Sequence, residues 1–193
     1  MTGLEMLYLR FTLWRQGYRV NQFHYHSVLK TPEQNAEKLY QFMSQLDEPV
    51  VHLVAHSLGG IVLCHLFDKY EIKQAGKVVM LGSPVKGSAL ARHINQNVIL
   101  KYVLGKSVIK GLLGDAPRWH SKRRLSVIAG TKSSGVGMLL ARKEMQKQND
   151  GTVNLNETQI EQAEEFHLVP QSHFSMLWSH AVAEKINSFL MRA

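Results

Sequence analysis

Three features of the sequence predict an α/β fold with a mostly parallel sheet flanked by helices. Short, mainly apolar runs of strand length recur along the chain, stretches of helical periodicity separate them, and one run passes straight into a glycine-rich helix start through a serine. The runs fall at residues 50–55, 77–81, 125–129 and 166–169. They are apolar without alternation, as suits strands covered on both faces.

Taken in order, residues 4–14 place Leu4, Leu7, Phe11 and Trp14 at helical spacing, and Gly17 ends the helix. Residues 18–25 alternate well enough for a strand. Thr31-Pro32-Glu33 reads as an N-cap, a first-turn proline and an acidic first turn. The helix that follows, to about Leu46, carries a stripe of Ala36, Leu39, Tyr40 and Met43. Residues 58–70 form the next helix, and the last runs from about Phe174 to Met191. Residues 88–122 are an insertion in which Val98, Ile99, Val103, Leu104, Ile109 and Leu112 are interleaved with Lys101, Lys106 and Lys110. It reads as one or two amphipathic helices that either form a lid over the strand ends or complete the core. No repeat or linker divides the chain, so residues 1–193 are expected to form one domain.

Composition narrows the function classes. The chain has 193 residues, 45% apolar and 20% charged, which is globular and not disordered. Its one cysteine, Cys64, leaves no internal disulfide and no thiolate metal site, and makes the cytoplasm the default compartment. The 23 Lys and Arg outweigh 15 Asp and Glu by +8, but only Lys122-Arg123-Arg124 clusters tightly. Nucleic acid is not an expected partner, and anionic surfaces should be bound weakly at most. The longest apolar stretch, residues 50–67, is broken by His52, His56, Ser57 and two glycines, so it does not span a membrane. The N-terminus does not read as a signal peptide.

Residues 50–62, Val-Val-His-Leu-Val-Ala-His-Ser-Leu-Gly-Gly-Ile-Val, carry the chemistry. A strand that turns sharply into a helix presents the Ser57 hydroxyl above the strand ends, and the small residues Ala55 and Gly59 let the backbone pass closely. The plainer alternative is that Ser57 is a helix N-cap. A nucleophilic serine needs a base, and the base needs an orienting acid. Asp150, in Asn149-Asp150-Gly151-Thr152, lies in a turn after the run at 125–129, and His173 lies in the turn after the last run. The order serine, acid, histidine suits such a triad, although Asp150-Gly151 is also an ordinary turn and a histidine at a helix start is often solvated. Cys64 reads as core, and His52 as a strand residue. His24 and His26 share a strand face without a third ligand, so no metal is expected. His180 falls within the last helix, and Asp115 comes too early to be the acid.

Ala55-His56-Ser57-Leu58-Gly59-Gly60, Leu81-Gly82-Ser83-Pro84-Val85-Lys86-Gly87-Ser88, Asp150-Gly151-Thr152-Val153 and Ser172-His173-Phe174 together resemble the α/β-hydrolase lipases and esterases. Within them the chain is most similar to the branch of GPI-inositol-deacylase-like and triacylglycerol-lipase-like proteins, over residues 4–190. The resemblance implies Ser57 as nucleophile, Asp150 as acid and His173 as base. It also implies that His56, Ser83, Pro84 and Val85 shape the substrate pocket. In that family a buried strand and a His-Gly turn precede the helix that here begins at about Leu4, and the strand lies between those matching residues 18–25 and 50–55. The expectation is therefore an N-terminally incomplete hydrolase, or a short form in which those two flanking strands pair directly.

The reaction expected is hydrolysis of a small-molecule or lipid carboxylic ester through an acyl-enzyme, without a cofactor. The Leu58 N–H, at the helix N-terminus, would serve the oxyanion. Ser57 Oγ should stand within hydrogen-bond reach of His173, and Asp150 should meet its other ring nitrogen. Acyl transfer by the same triad and a non-catalytic binding protein are the alternatives.

Overall fold

A computed structural model describes residues 4–192 of the chain. Four strands, β1 (Leu53–His56), β2 (Val78–Leu81), β3 (Leu125–Gly130) and β4 (Glu165–Val169), form a parallel sheet in chain order. Parallel neighbours require crossovers. The helices along the chain are α1 (Leu7–Arg15), α2 (Pro32–Met43), α3 (Leu58–Lys69), α4 (Ala89–Gln96), α5 (Lys101–Leu104), α6 (Val136–Leu140) and α7 (His180–Met191).

The central strands are apolar on both faces because both faces are covered. Val79 and Leu81 of β2 and Ile128 of β3 pack with α1 and α7, through Leu9, Leu13, Ile186 and Phe189. The alternate residues Val78, Met80, Leu125 and Val127 pack with α2 and α3, through Ala36, Leu39, Val62 and Leu66. Every residue of β2 and β3 is buried. Cys64 belongs to the second cluster, and burial pushes its thiol up to about 12.

Local chemistry sets the helix ends. The Thr31 hydroxyl accepts from the Gln34 N–H at 3.1 Å, and the Gln34 side chain accepts from the Thr31 N–H at 3.2 Å, with Pro32 opening α2. Such a reciprocal cap contributes about 1 kcal/mol. At the other end of the chain, the Lys77 ammonium donates to the carbonyls of Phe189 (2.9 Å) and Leu190 (3.2 Å), closing the C-terminus of α7.

Several elements depart from the sequence expectation. Residues 18–25 form no strand, and they do not pair with β1. Alternation makes a segment fit for a sheet, yet a strand exists only where its backbone groups meet another's. The stripe of α1 is also rotated: Leu9 and Leu13 are buried, whereas Leu7, Phe11 and Trp14 are exposed. Helical spacing of apolar residues was satisfied by either face, and contact with α7 selected the Leu9 side. The last helix starts at His180, after a 3-10 turn over Ser175–Trp178, because the Ser179 hydroxyl accepts from the Val182 N–H. In residues 88–122, α4 buries Leu90 and Ile94 against Ala141, while Val98, Ile99, Tyr102 and Val103 are exposed and do not extend the core.

The two faces of α1 give a direct check. Leu9→Ala should cost about 2–5 kcal/mol in urea denaturation, and Phe11→Ala no more than about 0.5 kcal/mol. The reverse order would show that α1 packs through the other stripe.

Candidate active site

The turn between β1 and α3 holds Ser57 at φ 54° and ψ −123°, outside the region an L-residue ordinarily occupies. Such a backbone stores about 1–3 kcal/mol and persists only where its surroundings fix it. The Ser57 N–H donates to the Leu81 carbonyl at 2.9 Å, tying the turn to the end of β2. The Ser57 side chain caps no N–H of α3, so the N-cap alternative is not what places a serine here. At the first turn of α3 the Gly60 N–H donates to the Ser57 carbonyl at 3.1 Å, while the Leu58 N–H has no helical acceptor behind it.

Asp150 and His173 meet beside this turn. His173 Nδ1 and Asp150 Oδ2 are 2.7 Å apart, and both residues are almost fully buried, at 2% and 1% exposure. The second carboxylate oxygen accepts from the N–H groups of Thr152 (2.9 Å) and Val153 (2.7 Å). The His173 N–H donates to the Asp150 carbonyl at 2.8 Å, so the two loops are joined by backbone as well. Asp150 Oδ2 accepts, so Nδ1 carries the proton and Nε2 is left as the basic nitrogen. Gly151, at φ 89°, is required by this turn: a Cβ there would stand 2.3 Å from the Ser134 carbonyl carbon. Gly82, at φ 52°, lets the end of β2 pass under the pair, because a Cβ would lie 3.1 Å from both Asp150 Oδ2 and His173 Nδ1.

His56 packs against His173. Its Nε2–H donates to the His173 carbonyl at 3.0 Å, and the two ring centroids are 4.5 Å apart. Burial, reinforced by the neighbouring His173, holds the His56 imidazole well below its ordinary value, hence neutral. Its Nδ1 is buried without a partner.

Of the three residues expected to act together, the structure joins Asp150 and His173 directly. Ser57 adjoins them in the chain through His56, but its hydroxyl makes no hydrogen bond to the His173 ring among the described residues. Of the expected pocket residues, His56 borders a cavity alongside β1. Ser83 is buried against α3, where a Cβ on Gly60 would stand 2.4 Å from its hydroxyl oxygen. Pro84 is buried and Val85 packs on the α2–α3 cluster. The tightest approach of the elbow is therefore at Gly60 and not at Gly59, whose Cβ would meet Ala55 at an ordinary 3.4 Å.

Glu157 gave no signal in the sequence. It is 5% exposed and accepts from the N–H groups of Ala89 (2.6 Å) and Asn154 (2.9 Å), tying the start of α4 to the loop that carries Asp150. Asn154-x-x-Glu157 has the spacing of a capping box, which could have revealed the turn but not its reach to α4. Asp115 accepts from Lys110 and Gly111 and closes a turn within the insertion. His24, His26 and His180 are exposed. Among the described residues no group of three His, Cys, Asp or Glu side chains could hold a metal ion, and no helix is long and apolar enough to cross a membrane.

Residues 5–186 match the family described as "Domain of unknown function (DUF7379)". The chain belongs to this family. Among curated proteins no match was found. Solved structures place this DUF7379 member in the α/β-hydrolase fold. It superposes on the mature form of lipase BlEst2 from Bacillus licheniformis with a TM-score of 0.69 at 21% identity, covering 93% of this chain and 82% of that one. Phospholipase PlaB from Legionella pneumophila matches with a TM-score of 0.71 at 17% identity, over 97% of this chain and 56% of that one. A metagenomic carboxyl esterase matches with a TM-score of 0.65 at 15% identity, over 91% and 63%. The chain thus spans less than two thirds of the length of the last two.

The neutral His56 makes stability depend on pH. Below the ordinary imidazole value of 6.5 the unfolded chain takes up a proton at this residue that the folded chain refuses. Its share of stability is complete above about pH 6.5 and is lost as pH falls, with a slope of at most about 1.4 kcal/mol per pH unit. The drop in melting temperature from about pH 7 to about pH 5 should be smaller in His56→Gln than in the wild type. An unchanged drop would show that His56 is charged or exposed.

Proposed function

We propose that the protein hydrolyses carboxylic esters, with Ser57 as nucleophile, His173 as general base and Asp150 as the group that orients it. The observation that carries this reading is the buried Asp150–His173 pair beside a strained serine whose hydroxyl does not cap its helix. A buried imidazole with one nitrogen bound to a carboxylate is fixed in a single tautomer, and its other nitrogen is a base.

In the proposed reaction Ser57 Oγ attacks the ester carbonyl carbon as its proton passes to His173 Nε2. Negative charge gathers on the carbonyl oxygen, where the Leu58 N–H and the N-terminal end of α3 stabilise it. Collapse breaks the bond to the alcohol, which leaves with the proton from His173. Water then gives a proton to His173 and attacks the acyl-serine, and the acid and free Ser57 are released. Asp150 remains ionised and balances the transient imidazolium. The hydroxyl of Ser57 meets the base on substrate binding, since such contacts are often long without a ligand.

Small or lipid esters are the substrate class, as a reading that rests on the apolar surroundings and on the printed names of the structural relatives: lipase, phospholipase and carboxyl esterase. We read the exposed Val98, Ile99, Tyr102 and Val103 of the insertion as a lid-like surface that meets such substrates. The Gly-Ser-Pro run at residues 82–84 favours the GPI-inositol-deacylase-like and triacylglycerol-lipase-like branch.

Turnover of p-nitrophenyl butyrate tests the assignment. Ser57→Ala should lose at least about 10³-fold with a melting curve close to the wild type, and Asp150→Asn about 10⁴-fold with a lowered melting temperature, both assayed where the variants are folded. Equal inactivity of folded wild type and Ser57→Ala would remove the hydrolase reading.

A further inference from the structure

His56 closes β1, one residue before Ser57, and only 4% of it is exposed. A buried ring N–H must find an acceptor. The acceptor here is the carbonyl of His173, 3.0 Å from Nε2. The backbone of His173 is thus held on both sides, because its N–H also donates to the Asp150 carbonyl at 2.8 Å. On the ring, Nδ1 is bonded to Asp150 Oδ2 at 2.7 Å. A ring held at one nitrogen can still pivot about that bond, and the pivot swings Nε2.

Packing decides how far the ring pivots. The backbone of Gly82 lies against it, since a Cβ there would stand 3.1 Å from Nδ1 and 3.3 Å from Cε1. The His56 ring lies 4.5 Å away between centroids, tilted by 44°, and the Phe174 ring 5.3 Å away, tilted by 87°. Phe174 is 52% exposed, whereas His56 is enclosed and hydrogen-bonded, so the fixed wall is His56. Histidine suits this position for a physical reason. Phenylalanine would fill the space and leave a buried carbonyl unanswered. Lysine or arginine would answer it, but with a charge beside the imidazolium that forms when the base takes a proton. An imidazole kept neutral by burial gives a flat wall and a donor without a charge.

We propose that His56 is a positioning residue for the base: its donation to the His173 carbonyl and the contact of the two rings together fix the direction of His173 Nε2. The consequence for turnover rests on the hydrolase reading, whereas the hold on the His173 ring does not. A base turned aside misses the hydroxyl proton it must take, and a displacement of about 1 Å can cost about 10²-fold in rate. The loss falls on kcat, with KM little changed, because the proton is taken only on the way to the transition state.

The test compares the wild type with His56→Gln, which keeps a side-chain N–H, and His56→Phe, which keeps a ring. Long-range proton–nitrogen NMR of the wild type near neutral pH needs no variant. It should show His56 neutral with its proton on Nε2, and a proton on Nδ1 alone or an imidazolium would overturn the proposal. The Nδ1–H proton of His173 should exchange with water at least about tenfold faster in folded His56→Phe than in the wild type, and His56→Gln should recover most of that protection. On p-nitrophenyl butyrate, kcat should fall about 10²-fold in His56→Phe with KM within about threefold, and His56→Gln should regain at least about tenfold. Equal exchange or equal kcat in the wild type and His56→Phe would overturn the proposal, and so would equal losses in the two variants. Should the folded wild type turn over no ester, the hydrolase reading falls, and exchange of the His173 proton alone decides whether His56 holds the ring.

Discussion

A carboxylate that is almost completely removed from water must have its oxygens answered, and Asp150 meets this constraint with the loops around it. Two backbone N–H groups hold one oxygen and the His173 ring holds the other. That arrangement fixes the loop after β3 in a turn only Gly151 can complete, and it fixes the loop after β4 through the His173 N–H. The backbone of β2 must then end in a residue without a side chain, Gly82, since a methyl group would press on both partners. Three strand ends thus meet at one buried, hydrogen-bonded pair.

The rest of the sheet supplies what that bond needs. Parallel strands, the central β2 and β3 covered on both faces and β4 exposing Phe166 and Leu168, bring the ends of β1, β2, β3 and β4 to one edge of the molecule, where the connecting loops gather. The Ser57 turn is strained, and its tether to Leu81 shows how the neighbouring strand holds it in place. His56 links the serine turn to the loop of His173 by donating to the His173 carbonyl, and its neutrality follows from burial. Glu157 extends the same network to α4, so the insertion is anchored to the loop of Asp150 rather than resting on the surface.

Much of this was legible because local chemistry is local. The N-cap at Thr31 with Pro32 behind it, the strands over residues 78–81 and 125–130, and the placement of Asp150 and His173 in turns all follow from short patterns. What escaped the sequence depends on partners distant in the chain. Residues 18–25 alternate like a strand but lie across a cavity from β1 without pairing to it. The face of α1 was decided by α7, and periodicity could not choose between Leu9 and Phe11. Glu157 and His56 act through hydrogen bonds to residues 68 and 117 positions away, which no motif encodes.

The central proposal is that the Asp150–His173 pair makes Ser57, and no other serine, a nucleophile. Reaction with a fluorophosphonate ester, followed by peptide mass spectrometry, tests it most directly. The account predicts one phosphonyl adduct, on the peptide containing Ser57, and its loss in a folded His173→Ala variant. Labelling at another residue, or at Ser57 equally well without His173, would contradict it.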